Sequence, residues 1–154
     1  LPAITFWLLG SLSGIKVADM QTVAPLVLLG LVPLGLLRWR IGVLSLGDDE
    51  ARALGVDVPR LRLLVIVAAT LVTAAVVAIS GVIGFVGLMV PHIARRLVGA
   101  EHRRLLPVCL LLGSVFLVWV DVAARTLIAP EDLPIGVATA AIGGLFFIGL
   151  MRRR

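Results

Sequence analysis

The sequence predicts an all-α protein, a polytopic membrane helix bundle of about five transmembrane helices with one short helix before the spans and another in a loop. Hydrophobic residues make up 60% of the 154 residues and charged residues only 15%, against about 25% charged residues in soluble domains. The mean hydropathy is +1.15, and a small soluble core cannot bury that much apolar surface. The arginines flank the apolar runs and form no basic–aromatic face, so we expect no nucleic-acid partner.

The N-terminal apolar piece is too short to cross a bilayer. It covers about residues 4–9, whereas a spanning helix needs about 20 residues, so we expect a re-entrant or interfacial helix. The chain opens on LPAITFWLLG, without an initiator Met, a basic region or a cleavage site. These features are not those of a signal peptide, and we expect the chain to be the interior of a longer protein.

Four stretches with few or no charges follow, at residues 20–37, 63–94, 105–120 and 133–151. The second is too long for one span, and the glycines in SGVIGFVG permit a reversal at residues 80–84. We therefore predict two helices there, at residues 63–79 and 85–97. The third stretch extends through DVAARTLI if Asp121 and Arg125 are tolerated near its end, which gives five spans.

The arginines orient these spans. Twelve of the fourteen basic residues fall on one side of a five-span topology. They lie in the loops at residues 38–62 and 98–104, at the helix ends next to these loops, and at the C-terminus. The positive-inside rule makes this side cytoplasmic. Residues 10–21, 80–84 and 129–134 are then predicted outside, where they carry Lys16, Asp19, Glu131 and Asp132.

The long cytoplasmic loop contains a predicted short helix. Three acids follow Gly47 and suit the positive end of a helix dipole, and Gly55 stands where a C-terminal cap glycine belongs. Val58 and Pro59 predict a break before the next span. Leu46, Ala51 and Leu54 are expected to face a partner or the membrane surface, and the alternative is an ordinary amphipathic connector.

Asp121 and Arg125 are four residues apart, so they share a helix face and can pair. Ionisable residues within a span are energetically expensive and are often functional. One interpretation is an intrahelical pair that neutralises both charges. The other presents Arg125 outward, near the outer surface, to an acidic group, with Asp121 holding it in place.

No catalytic or metal-binding constellation stands out. Cys109 is the only cysteine, so no intrachain disulfide forms. His92 has no His, Cys or acid at ligand spacing, and a hydrogen bond near its helix end is the expected role. The phosphate-binding pattern G-x-x-x-x-G-K-[ST] is absent. We expect no catalytic residue, no metal and no cofactor.

Several blocks, in order, resemble one family, the permease subunits of FecCD/BtuC-type ABC importers for iron-siderophores, haem and vitamin B12. The blocks are WLLGSLSG, LSLGDDEARALGV, SGVIGFVGLMVPHIARRLVG, EHRRLLP, DVAARTL and LPIGVATAAIGGLFFIGL. The resemblance covers essentially the whole chain but only the C-terminal half of such a permease domain, residues 1–154 of one domain. It implies that residues 42–62 are a cytoplasmic coupling loop.

The resemblance also implies roles for particular residues. The ATPase-coupling residues would be Gly47, Asp48, Asp49, Glu50, Ala51, Leu54 and Gly55, although Glu50 and Ala51 do not match the general importer pattern perfectly. Arg125, supported by Asp121, would dock a glutamate of the binding protein. Trp7, Pro134 and Gly136 would line the outer part of the pathway.

The implied assembly has several partners in a bacterial inner membrane. They are a second permease subunit, identical or different, two ATP-binding cassette subunits that hydrolyse ATP, an extracytoplasmic substrate-binding protein and membrane lipid. The expected cargo is an iron(III)-siderophore, and the C-terminus is expected to be cytoplasmic. Haem or vitamin B12 import, a truncated non-transporting remnant and an intramembrane enzyme using His92 are the alternatives.

Overall fold

The computed structural model describes residues 2–127 and 133–152. Within these residues the chain forms eight α-helices. They are α1 Pro2–Leu8, α2 Val17–Leu36, α3 Arg38–Leu44, α4 Asp48–Ala53, α5 Val58–Ser80, α6 Val86–Val98, α7 His102–Leu127 and α8 Ile135–Met151. Most of the predicted outer loop at residues 129–134, with Glu131 and Asp132, lies outside the described residues, as do Arg153 and Arg154. The all-helical polytopic bundle predicted from the sequence is confirmed.

The first group of helices is the pair α2 and α5, which pack along each other. Gly30 of α2 is buried, and a Cβ there would lie 2.8 Å from the carbonyl oxygen of Ala68 in α5. Helix α2 begins earlier than predicted. The backbone N–H of Lys16 donates to Asp19 Oδ2 at 2.9 Å, which places Asp19 in the first turn and shortens the predicted outer loop.

The second group contains α6, α7 and α8. Phe85 caps the start of α6 in the left-handed region, with φ of 63°, and its side chain fills the space that a Cβ at Gly143 of α8 would need. His92 meets Phe146 of α8 edge-on, with ring centroids 6.0 Å apart. Its Nε2 is buried and has no hydrogen-bond partner among the described residues, so the predicted hydrogen bond is wrong for this nitrogen.

Helix α3 connects the two groups, because it contacts α2 and α5 on one side and α7 on the other. It also contacts α4, so the predicted loop at residues 38–62 is largely helical. Pro59, where a break was predicted, lies instead in the first turn of α5. Backbone N–H groups in the first turn make no hydrogen bond within the helix, so the N–H that proline lacks is not needed there. Residues 58–62 therefore belong to the helix.

Three described helices, α2, α5 and α7, are long and apolar enough to cross a membrane. Helix α8 has 17 residues and α6 has 13. At 1.5 Å per residue α6 is roughly 20 Å long, shorter than a hydrocarbon core of about 30 Å. The chain is a membrane protein with three helices of spanning length. The prediction of five spans requires that the shorter helices α6 and α8 cross the membrane as well.

Candidate functional site

The functional residues predicted from the sequence fall at opposite ends of the bundle. At one end lie the α3–α4 region and the α6–α7 turn, which Arg38 joins by donating from Nη1 to the carbonyl of Arg103 at 3.4 Å. At the other end, three elements meet through glycines: the end of α1, the α5–α6 linker and the start of α8. We call the set Gly10, Gly81 and Gly136 the glycine junction.

Main chains touch at the glycine junction. The N–H of Ser11 donates to the carbonyl of Ser80 at 2.9 Å, and the N–H of Gly136 donates to the carbonyl of Gly10 at 3.3 Å. A Cβ at Gly81 would collide with the carbonyl oxygen of Trp7, and one at Gly136 with that of Leu9. Three segments distant in sequence therefore approach as closely as their backbones allow.

The three predicted pathway residues lie in or beside this junction. The indole Nε1 of Trp7 donates to the carbonyl of Ala78 in α5 at 3.2 Å, and the residue is 43% exposed. Gly136 provides the close backbone approach. Pro134 is buried at the N-terminal cap of α8. Its place along the outer part of the pathway stays a prediction.

The coupling segment, residues 47–55, forms helix α4 as predicted, and its C-terminal end is capped. Gly47 precedes the helix with φ of +133°, and Gly55 follows it with φ of +78°. The N–H of Gly55 donates to the carbonyl of Arg52 at 2.9 Å and that of Val56 to the carbonyl of Ala51 at 3.0 Å. This pair of bonds is the Schellman motif, and it satisfies carbonyls that the helix end leaves free.

An apolar cluster holds the coupling segment against its neighbours. Its buried members come from α3, α4, the α4–α5 turn and α5; they are Val43, Ala51, Val56, Val58 and Leu61. Ala51 is 0% exposed. The expectation that Ala51 faces a partner is therefore wrong, because its methyl group packs inward and fixes the orientation of α4.

The remaining side chains of the coupling segment point outward. Leu54 and, just before the segment, Leu46 are exposed, and Asp49 and Glu50 form an acidic edge. Asp48 accepts from Nη2 of Arg62 at 2.9 Å, which ties α4 to α5. An apolar and acidic surface on a helix anchored from behind is suited to contact with a second protein.

Asp121 and Arg125 form the predicted ion pair, with 2.9 Å between Oδ2 and Nε. The Asp121 side chain is 22% exposed and that of Arg125 is 47% exposed, so the cation is the more accessible group. Arg125 lies in the last turn of α7, and the helical rise places it roughly 33 Å from Arg103 at the start. The pair is thus at the end of α7 that is remote from the coupling segment.

Sequence reasoning missed the glycine junction. The glycines of SGVIGFVG predicted only a local reversal and Gly136 was predicted as a pathway residue. The contact among Gly10, Gly81 and Gly136 depends on how distant segments fold together. Their positive φ values, +75° at Gly10 and +70° at Gly81, give no signal in a single sequence beyond the glycines themselves. Within the described ranges, no group of three or more His, Cys, Asp or Glu residues is placed to hold a metal ion.

Comparison with known proteins identifies the family. The model of the FecCD transport family matches residues 1–153. A permease protein assigned to an iron chelatin transport system of Helicobacter pylori is 45% identical over 98% of this chain and 46% of the relative. The cobalamin import system permease protein of Halobacterium salinarum is 44% identical, over 97% of this chain and 40% of the relative. The hemin transport system permease protein of Yersinia pestis is 41% identical, over 97% and 45%.

A solved structure has the same fold. It is a transporter assigned to the metal-chelate type of ABC transporters, in an inward-facing conformation, with a TM-score of 0.92 and 42% sequence identity. The match covers 100% of this chain and 51% of that one. The chain spans about half the length of the curated relatives it matches. It belongs to the FecCD transport family.

Proposed function

We propose that this chain supplies the C-terminal half of a permease domain in an ABC importer for a metal chelate, most specifically an iron(III)-siderophore. Relatives named for iron chelatin, cobalamin and hemin transport are 45%, 44% and 41% identical to it. Sequence similarity therefore favours the permease role strongly and the cargo only slightly, so haem and vitamin B12 stay as alternative cargoes.

The observation that carries the proposal is the way the coupling segment is built. Its exposed apolar and acidic face would dock into the cleft of an ATP-binding cassette subunit, and that partner, not this chain, would hydrolyse ATP. Ala51, Val58 and the Asp48–Arg62 pair hold α4 against α3 and α5. Movement of α4 with the ATPase would then reach the spanning helices and switch the pathway between its two open states.

The opposite end would receive the cargo. Arg125 is accessible and is steadied by Asp121, so it would present a cation to a carboxylate on an extracytoplasmic binding protein. Trp7 and the glycine junction would lie near the mouth of the pathway, which a second permease subunit, identical or different, would complete. The setting is a bacterial inner membrane with the arginine-rich end and the C-terminus in the cytoplasm.

Uptake measurements test the transport proposal. The permease that contains this chain would be co-expressed with its ATPase and binding protein in cells lacking siderophore uptake. We expect accumulation of ⁵⁵Fe-labelled ferric siderophore that disappears when the ATPase is inactivated. Labelled cobalamin and haem are the cargo controls. Failure to accumulate any of the three, with the assembled complex present in the membrane, would support a non-transporting remnant instead.

The Arg125→Glu variant tests the docking role. A rim charge reversal acts on association with a charged partner, so we expect the binding protein to dock at least tenfold more weakly to the reconstituted permease, a loss of about 1.4 kcal/mol or more. The matched control is Arg96→Glu, an exposed arginine in the last turn of α6 at the arginine-rich end. Equal docking by wild type and Arg125→Glu would contradict the assigned role.

A further inference from the structure

A groove beside α3 borders the proposed coupling surface, with which it shares Leu46, and lies apart from the docking surface at Arg125. It has a volume of about 410 Å³ and opens between α3 and the turn that joins α6 to α7. Its lining includes Arg38, Trp39, Gly42, Leu46, His102 and Arg103. Gly42 faces the start of α7, since a Cβ there would stand 3.7 Å from Cβ of His102. The side chains of Leu37, Ile41 and Leu44 pack against the apolar cluster of the coupling segment instead.

The charge of the groove is not compensated within the described part of the chain. On the coupling side, Arg52, Arg60 and Arg62 each pair with an aspartate. The groove arginines Arg38 and Arg103 have no carboxylate within ion-pair distance among residues 2–127 and 133–152. The one acid in the lining, Glu101, pairs with Arg104, with 3.5 Å between Oε2 and Nε.

The groove lies where two helices of spanning length have their ends, which is where a membrane boundary is expected. Arg38 is the second residue after the end of α2, and Arg103 is the second residue of α7, so one helix of spanning length ends here and another begins. Trp39 is 53% exposed, and tryptophan favours the level of lipid headgroups. The guanidinium of Arg38 is held at the groove by its bond to the carbonyl of Arg103.

We propose that this groove binds the headgroup of an anionic phospholipid. The phosphate would lie between the guanidinium groups of Arg38 and Arg103, with the exposed indole of Trp39 against the glycerol and upper acyl region. Basic pockets between helix ends on the cytoplasmic side suit such headgroups. The unpaired cations suit the phosphate of a lipid, and a tryptophan at the level of two helix ends suits its glycerol and upper acyl region. The inference depends on membrane placement alone, so its failure leaves the transport proposal intact.

Native mass spectrometry of the permease that contains this chain, in detergent, tests the proposal. Added dioleoyl-phosphatidylglycerol should remain bound under activation that removes dioleoyl-phosphatidylcholine. Removal of one basic residue near an anionic lipid weakens binding about fivefold, so Arg38→Gln and Arg103→Gln should each lower phosphatidylglycerol retention by about that factor. Arg103→Gln keeps the backbone carbonyl that receives Arg38, which separates charge loss from loss of the α3 contact.

The control is Arg60→Gln, which removes one positive charge from a residue already paired with Asp57 and should leave phosphatidylglycerol retention unchanged. Equal retention of the two lipids by wild type would overturn the proposal. So would full phosphatidylglycerol retention by both groove variants. If the groove variants keep the lipid but lose the ATPase during purification, the groove is a protein-docking surface and the lipid proposal is wrong.

Discussion

The glycine junction and the coupling segment hold their ends of the bundle together by different kinds of contact. At the junction, the main chains of α1, the α5–α6 linker and α8 touch directly, with no side chain between them. At the coupling segment, side chains of an apolar cluster meet, and exposed ion pairs surround them. The first arrangement therefore has no room for adjustment, whereas the second can lose single groups and repack.

The largest effect is expected from Gly81→Ala at the junction. Gly81 has φ of 70° and ψ of −167°, and its Cβ would collide with the carbonyl of Trp7. That backbone region is almost restricted to glycine, and strain and overpacking together cost about 3–5 kcal/mol. Titration of the purified permease with SDS in mixed micelles would measure the lost free energy of unfolding. Gly84→Ala is the matched control, because nothing lies within 4 Å of its Cβ position, and a similar loss there would undermine the comparison.

A smaller loss is expected from Val58→Ala in the cluster behind the coupling segment. Val58 is 1% exposed, so the removed methyl groups leave a small cavity and cost about 2 kcal/mol. The same SDS titration measures the lost free energy of unfolding of the whole permease. Hydrogen exchange at the amides of Leu54 and Val56 should speed up as α4 loosens, while Trp7 and Ser11 stay protected. Loss of protection at both ends alike would show that the two regions are not independent.

Gly55→Ala should cost less again. Its φ of +78° is left-handed, but nothing lies within 4 Å of the Cβ position. The expected cost is therefore only that of holding an alanine in a left-handed backbone conformation, about 1–2 kcal/mol. Gly55→Asn is the rescue variant, since asparagine tolerates this conformation, and it should recover much of the loss. If Gly55→Ala were as damaging as Gly81→Ala, steric contact would not be what distinguishes the two ends.

The smallest effect is expected from Arg52→Gln. Its pair with Asp49 has 3.7 Å between charged atoms, and the two side chains are 60% and 94% exposed. Exposed pairs contribute about 0–0.5 kcal/mol and are screened by salt. Stability measured at low and high salt should match wild type within that range. A loss above 1 kcal/mol would mean that the ion pairs, and not the apolar cluster, hold the coupling segment.

What the sequence could predict is what depends on neighbouring residues. The acids after Gly47 and the glycine at position 55 specify the start and end of α4 locally, and the four-residue spacing of Asp121 and Arg125 specifies their pairing. The junction depends on contacts that no spacing rule reaches, such as Trp7 with Ala78, 71 residues apart. The inward face of Ala51 was missed because burial depends on which helices pack behind α4, and a six-residue helix is too short to show that face in its pattern.

The glycine junction also has a mechanical consequence. Backbone contacts fix α1, the start of α8 and the end of α5 at one place, so a rigid tilt of these elements has its pivot there. Helix α5 has 23 residues and extends roughly 33 Å from that pivot toward the coupling segment. A tilt of about 5° would move its far end by about 3 Å over that length. In such a tilt the junction would be the pivot, and a small change of angle there would become a displacement of atomic scale at the other end of α5.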